Sequence, residues 1–153
     1  MKERVEMEKL LISACLLGAA TRYDGKSKRV ISDDDLKRLS DKYHLVPACP
    51  EIYGGLPTPR VPSERVLDRV KMKNGADVTD NYIKGAMETL EMCRMLNIKK
   101  ALLKAKSPSC GKYEIYDGTF SGALVQGKGV AAELLIDNGI EVFDENEIFK
   151  LIG

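Results

Sequence analysis

The stretch "ALLKAKSPSCG" (Ala101–Gly111) leaves an unbroken apolar run and enters a stiff polar turn that ends on a thiol and a glycine. The apolar part has the length of a buried strand. The polar part cannot extend that strand, because Pro108 brings no amide donor and Gly111 frees the backbone. A structural cysteine would sit among the leucines; Cys110 stands beyond the strand's C-terminal end instead.

Working outward, the same grammar occurs twice more. Cys15 follows "LLISA" and Cys49 follows "HLVPA", and each precedes a loop rich in glycine or proline. Between these runs lie helical patterns. "SDDDLKRLSDKY" carries Ser32 as N-cap and three aspartates at the positive end of the dipole. "DVTDNYIKGAMETLEMCRMLN" places Ile83, Ala86, Met87, Leu90 and Cys93 on an apolar stripe, and "GVAAELLIDNG" closes on Gly139. "KALLKA" and "IEVF" read as further strands and "ENEIFKLI" as a terminal helix, whereas the prolines of "CPEIYGGLPTPRVP" argue against regular structure. Strands alternating with helices predict a single layered α/β/α domain, Rossmann-like, with a mostly parallel sheet over residues 1–153. Crossover helices would bring the strands' C-terminal ends to one edge, where open α/β sheets place ligands.

Cys15, Cys49 and Cys110 therefore converge, while Cys93 lies on a helix stripe near the end facing the opposite edge and reads as a small core hydrophobe. Three thiolates suggest a metal site. Structural zinc wants a closed tetrahedral set with short paired spacings, and none is present. His44, the only histidine, begins the strand that Cys49 ends, roughly 16 Å away. An iron–sulfur cluster suits three sulfurs better, with one iron of a 4Fe–4S cubane lacking a protein ligand. On spacing alone, three unlinked thiols near strand ends is the other reading.

Glu51, two residues past Cys49, is either a proton-transferring carboxylate beside the metal or a solvated loop glutamate. Ser107 and Ser109 either bind a substrate oxygen or water, or satisfy their own turn. Arg22 and Tyr23, in "RYDG", are candidates to line the pocket, and Arg60 is available for a carbonyl or phosphate. "RYDG" and "YDGTFSG" share an Asp-Gly that favours a tight turn.

Lys plus Arg is 24 and Asp plus Glu 23, so no net field draws the protein to nucleic acid or membrane. No apolar run is long enough to span a bilayer. "LLISACLLGAA" has the apolar character of a signal peptide core, but Glu3, Glu6 and Glu8 make a poor basic leader before it. A retained first strand and a cytoplasmic location are expected, with the cysteines as thiols or metal ligands.

In this order, "ISACLLG", "RYDG", "CPEIYGGLPTPR", "DVT", "LLKAKSPSCG", "IYDGTFSG" and "GKGVAAELL" closely resemble the thiouracil desulfidase (TudS-like) family. The resemblance implies an α/β domain holding a 4Fe–4S cluster through three cysteines, here Cys15, Cys49 and Cys110. It implies removal of sulfur from thiolated uracil without net redox change, the open iron taking the substrate's sulfur while water replaces it at the carbon. The acid/base carboxylate of "CPE" maps to Glu51, and the serine of "SPSC" to Ser107, with Ser109 as near alternative. Many relatives have cysteine before "RYDG", where this chain has Thr21, which favours three thiolates and an open iron.

The expected function is a cluster-dependent desulfidase of thiouracil or thiouridine, releasing hydrosulfide. Its partner is a small thiolated nucleobase or nucleoside, with no membrane and no stable nucleic-acid partner. From a different class, the same three thiolates would serve a non-catalytic metal or sulfur carrier. A nucleic-acid-binding module finds no basic stripe interleaved with aromatics, and Trp is absent.

Overall fold

In a computed structural model describing residues 7–21, 23–25 and 29–153, strand β1 (Lys9–Ser13) lies inside the sheet, paired on both sides. Its "LLI" run is continuous because both faces are covered: Leu10 and Ile12 enter one core, Leu11 the other. All three are fully buried, each contributing about 2 kcal/mol by removal from water. The chain then makes a 3-10 turn (Ala14–Leu17) and helix α1 (Asp33–Lys42), where Ser32 caps the Asp35 amide as expected.

Strand β2 (His44–Ala48) pairs parallel with β1 at the sheet's edge, a position that tolerates Pro47. Helix α2 (Pro50–Tyr53) corrects the expectation of irregular chain: Pro50 takes the first helical position, where no amide donor is needed. A hairpin, β3 (Ser63–Val66) and β4 (Arg69–Met72), leads to α3 (Thr79–Met95). Strand β5 (Lys100–Leu103) pairs parallel with β1, and a second hairpin, β6 (Glu114–Tyr116) and β7 (Leu124–Gln126), precedes α4 (Val130–Asp137). Strand β8 (Glu141–Asp144), a 3-10 turn (Glu145–Glu147) and α5 (Ile148–Ile152) finish the chain.

The main sheet is four-stranded and all parallel, ordered β2-β1-β5-β8. The core on one face contains Cys93 and Leu90 of α3 with Ala132 and Leu135 of α4. The core on the other contains Leu39 of α1 and Leu151 of α5, so the layers are α/β/α as expected. The apolar stripe of α3 needs correction. Ile83 and Met87 are exposed, and the buried face is Thr79, Tyr82, Gly85, Ala86, Thr89, Leu90 and Cys93. Neither hairpin was expected from the sequence, and the second "YDG" opens a seven-residue loop (117–123) between β6 and β7 rather than a tight turn.

Candidate active site

Three strands of the main sheet deliver a cysteine beyond their C-terminal ends. Cys15 lies in the 3-10 turn after β1, closed by Gly18 at φ +91°. Cys49 is the residue between β2 and α2. Cys110 follows the turn after β5, a turn held by two side-chain hydroxyls. Ser13 Oγ accepts from the Lys104 amide, and Ser107 Oγ accepts from the Ser109 and Cys110 amides at 3.1 Å each. The Pro108 and Ser109 carbonyls in turn accept from the first amides of α4, so the thiol loop and that helix brace one another. A Cβ at Gly129 would collide with the Ser109 carbonyl, and glycine there permits the approach.

A second close approach fixes the other side. A Cβ on Gly85 of α3 would collide with the Pro50 oxygen, and one on Gly54 with the Asn81 oxygen. Backbone thus packs on backbone, and Asn81 Nδ2 donates to the Gly54 carbonyl at 2.9 Å. This contact seats α2, and with it Glu51, at the crevice.

Cys15, Cys49, Cys110, Glu51, Ser107 and Tyr23 all line one cavity of about 490 Å³. The Arg60 Nε, at 2.9 Å, and Nη2 both donate to Glu51 Oε2. The other carboxylate oxygen, Oε1, accepts a long hydrogen bond of 3.4 Å from Ser107 Oγ. The remaining Arg60 donors go to the Pro57 carbonyl and Thr58 Oγ1 at 3.2 Å each and to the Thr21 carbonyl at 3.1 Å. Arg60 is thus occupied in holding Glu51 and its own loop, which corrects the expectation that it is available to a ligand.

The structure separates the two serines. Ser107 faces the cavity, whereas Ser109 is fully buried outside its lining, with a hydroxyl that has no partner among the described residues. Tyr23 is half exposed at the rim, and its carbonyl accepts from the Arg60 amide at 2.6 Å. Arg22 lies outside the described residues. Cys93 and His44 are away from the cavity, as expected. Thr21 lines it with a buried hydroxyl that has no partner among the described residues.

Sequence reading missed Tyr82, Glu64 and Phe120, which also line the cavity. Tyr82 left a faint signal: a large polar-tipped ring on a helix whose other buried residues, Leu90 apart, are small. Burial pushes its phenol up, and the charge of nearby Glu51 adds to this.

Burial pushes the Cys15 thiol up to about 11; the neighbouring Cys49 adds to the shift and Lys104 opposes it. Cys49 and Cys110 are raised as well, chiefly by burial. For Cys110, the charges of Glu51, Cys15 and Cys49 add to it, so the three thiols and the carboxylate feel one another. Without a cation the set is protonated, and a bound metal would drive the protons off. Among the described residues no three His, Cys, Asp or Glu side chains close on a single ion. Thiols spread around a cavity rather than around a point suit a polynuclear iron–sulfur group, whose thiolates bind different irons. The donor set fits such a group, and Glu51 and Ser107 line the same cavity.

The 2-thiouracil desulfurase family model matches residues 10–147. The uncharacterized protein YbbK of Bacillus subtilis (strain 168) is 38% identical, over 94% of this chain and 99% of its own. Among solved structures, the 4Fe-4S-dependent thiouracil desulfidase TudS is similar with a TM-score of 0.89 and 44% identity, covering 94% of this chain and 95% of that one.

Proposed function

The chain belongs to the 2-thiouracil desulfurase family, and from that premise we propose that it is a 4Fe–4S-dependent, non-redox desulfidase of thiolated pyrimidines. It converts thiouracil or thiouridine and water into uracil or uridine, hydrosulfide and a proton. Cys15, Cys49 and Cys110 hold the cluster. The convergence of these thiols with Glu51 and Ser107 on one cavity carries the reading.

When bound, the cluster supplies a soft Lewis acid that polarises the carbon–sulfur bond. The rest is the chain's own work. Arg60 fixes Glu51 through Oε2, leaving Oε1 to face the cavity. That oxygen takes a proton from the water whose oxygen joins the ring carbon, and gives it to the departing sulfur as the carbon–sulfur bond breaks, so that the sulfur leaves as hydrosulfide. Oxygen enters as sulfur leaves, so no electrons are exchanged. Ser107, its lone pairs accepting from two amides, has one proton to share and directs it at Glu51. Four free thiols fit a reducing cytoplasm.

Anaerobic reconstitution with iron and sulfide, followed by incubation with 2-thiouracil and 4-thiouridine, tests the proposal. Stoichiometric release of hydrosulfide with the oxo-base is expected. A brown, cluster-loaded protein that leaves every thiolated base intact would instead identify a carrier.

A further inference from the structure

The loop between β6 and β7 adopts the left-handed backbone region at three positions: Gly118 (φ +95°), Phe120 (φ +56°) and Gly122 (φ +85°). Two of the three carry glycine, which takes this conformation freely; the third carries a bulky aromatic, for which it is strained. Packing does not account for the choice, because Phe120 belongs to none of the hydrophobic clusters among the described residues. It lines the cavity that holds the three thiols.

The strained position is held from outside the loop. Glu64 on β3 accepts with a single oxygen, Oε1, from the Gly118 amide at 2.8 Å and from the Phe120 amide at 3.1 Å. Its neighbour Arg65 anchors the same strand across the domain, donating to the Lys128 carbonyl at 2.7 Å and to Glu133 of α4 at 2.5 Å. Within the loop, Asp117 Oδ1 accepts from the Thr119 amide at 2.9 Å and from its hydroxyl at 2.6 Å. Strain kept in place by surrounding structure is a mark of functional positions. An aromatic face on a cavity suits a flat, unsaturated ring.

We propose that Phe120 is a specificity-determining residue that stacks on the planar ring of the substrate, and that Glu64 is its positioning residue. The inference rests on the desulfidase reading in that the ring is a thiolated pyrimidine. It adds which part of the cavity selects for flatness, independently of where the sulfur is removed.

The test uses the cluster-loaded full chain, with steady-state kinetics on 2-thiouracil and equilibrium dialysis of uracil. Phe120→Gly suits the backbone and removes the ring, so Tm should stay the same or rise. KM and the uracil Kd should each rise about tenfold, with kcat and the cluster absorbance little changed. Phe120→Tyr should restore both constants. Glu64→Ala should follow Phe120→Gly, and Glu64→Gln, whose amide oxygen still accepts both hydrogen bonds, should behave as wild type. Constants for Phe120→Gly within about twofold of wild type overturn the proposal. If the wild type binds uracil in a Phe120-dependent way yet desulfurates nothing, the desulfidase reading fails and the stacking wall stands. If it neither binds uracil nor acts on thiouracil, both fall.

Discussion

Arg60 reaches Glu51 through one carboxylate oxygen only: Nε and Nη2 both close on Oε2, while Oε1 is left to the Ser107 hydroxyl 3.4 Å away. The guanidinium side chain is 3% exposed and the carboxylate 14%, so neither charge is well solvated alone. Removing one partner of such a pair costs about 3–5 kcal/mol, much of it from the charge left behind. Arg60→Ala is expected to lose that much in urea unfolding of the cluster-free protein. Arg60→Lys keeps the charge but not the fork, and should retain most of the stability while kcat falls about tenfold. Unchanged stability in Arg60→Ala would show that the pair does not hold the loop.

The two serines of the thiol loop should separate cleanly. Ser107→Ala is expected to keep the cluster and lose about a hundredfold in kcat, because the hydroxyl beside Glu51 is gone. Ser109→Ala removes a buried hydroxyl without a partner among the described residues, and should be neutral or slightly stabilising with unchanged turnover. Equal kinetic losses in both variants would contradict this division.

Cysteine replacement distinguishes cavity from core. Cys110→Ser should abolish the visible absorbance and lower iron and sulfide content after anaerobic reconstitution. Cys93→Ala should load fully and lose only about 1 kcal/mol, since this buried thiol sits within the core that α3 shares with α4. Cluster loss in Cys93→Ala, with the fold intact, would break the assignment of ligands.

A pH effect is expected from a residue outside the cavity lining. Burial by itself would raise Glu147, yet hydrogen bonds from Lys150, Tyr113 and Lys112 outweigh it and hold the carboxyl at about 2, against an ordinary 4.5. A depressed carboxyl stabilises the fold above its unfolded value, so the contribution is complete above pH 4.5 and disappears as pH falls toward 2. Lys150 is half exposed, so solvent screening reduces the contribution to about 1–2 kcal/mol. Asp144, raised by burial, acts with the opposite sign: its contribution is present below 3.8 and fades as pH rises through the higher folded value. Unfolding free energies between pH 2 and 5 should fall with acid in the wild type, and more shallowly in Glu147→Gln.

The layered fold and the three thiols were legible because both depend on local pattern. An apolar run covered on two faces reads as a central strand, and a thiol just past its end must emerge at the sheet edge wherever the helices lie. Ser32 as a cap and Gly139 as a terminator are local in the same sense. The hairpins left weaker traces, because β7 is exposed along its whole length and shows no alternation. Their residues Glu64 and Phe120 enter the site only through a contact between segments 56 residues apart.

From the sequence alone came the four strands of the main sheet and the long helices between them, the cysteines past three of those strands, and the carboxylate that follows one of the cysteines. The tertiary structure decided partners: that Arg60 serves Glu51, that Ser107 rather than Ser109 faces the cavity, and that Tyr82 reaches the site. The backbone contact of Gly85 with Pro50 belongs to the same class, with no space for a methyl group between chain segments that meet only in the fold. The physical reason is one of range. Secondary structure and strand-end position follow from interactions within a few residues, whereas a side chain's partner is set by which distant segment packing brings within about 3 Å of it.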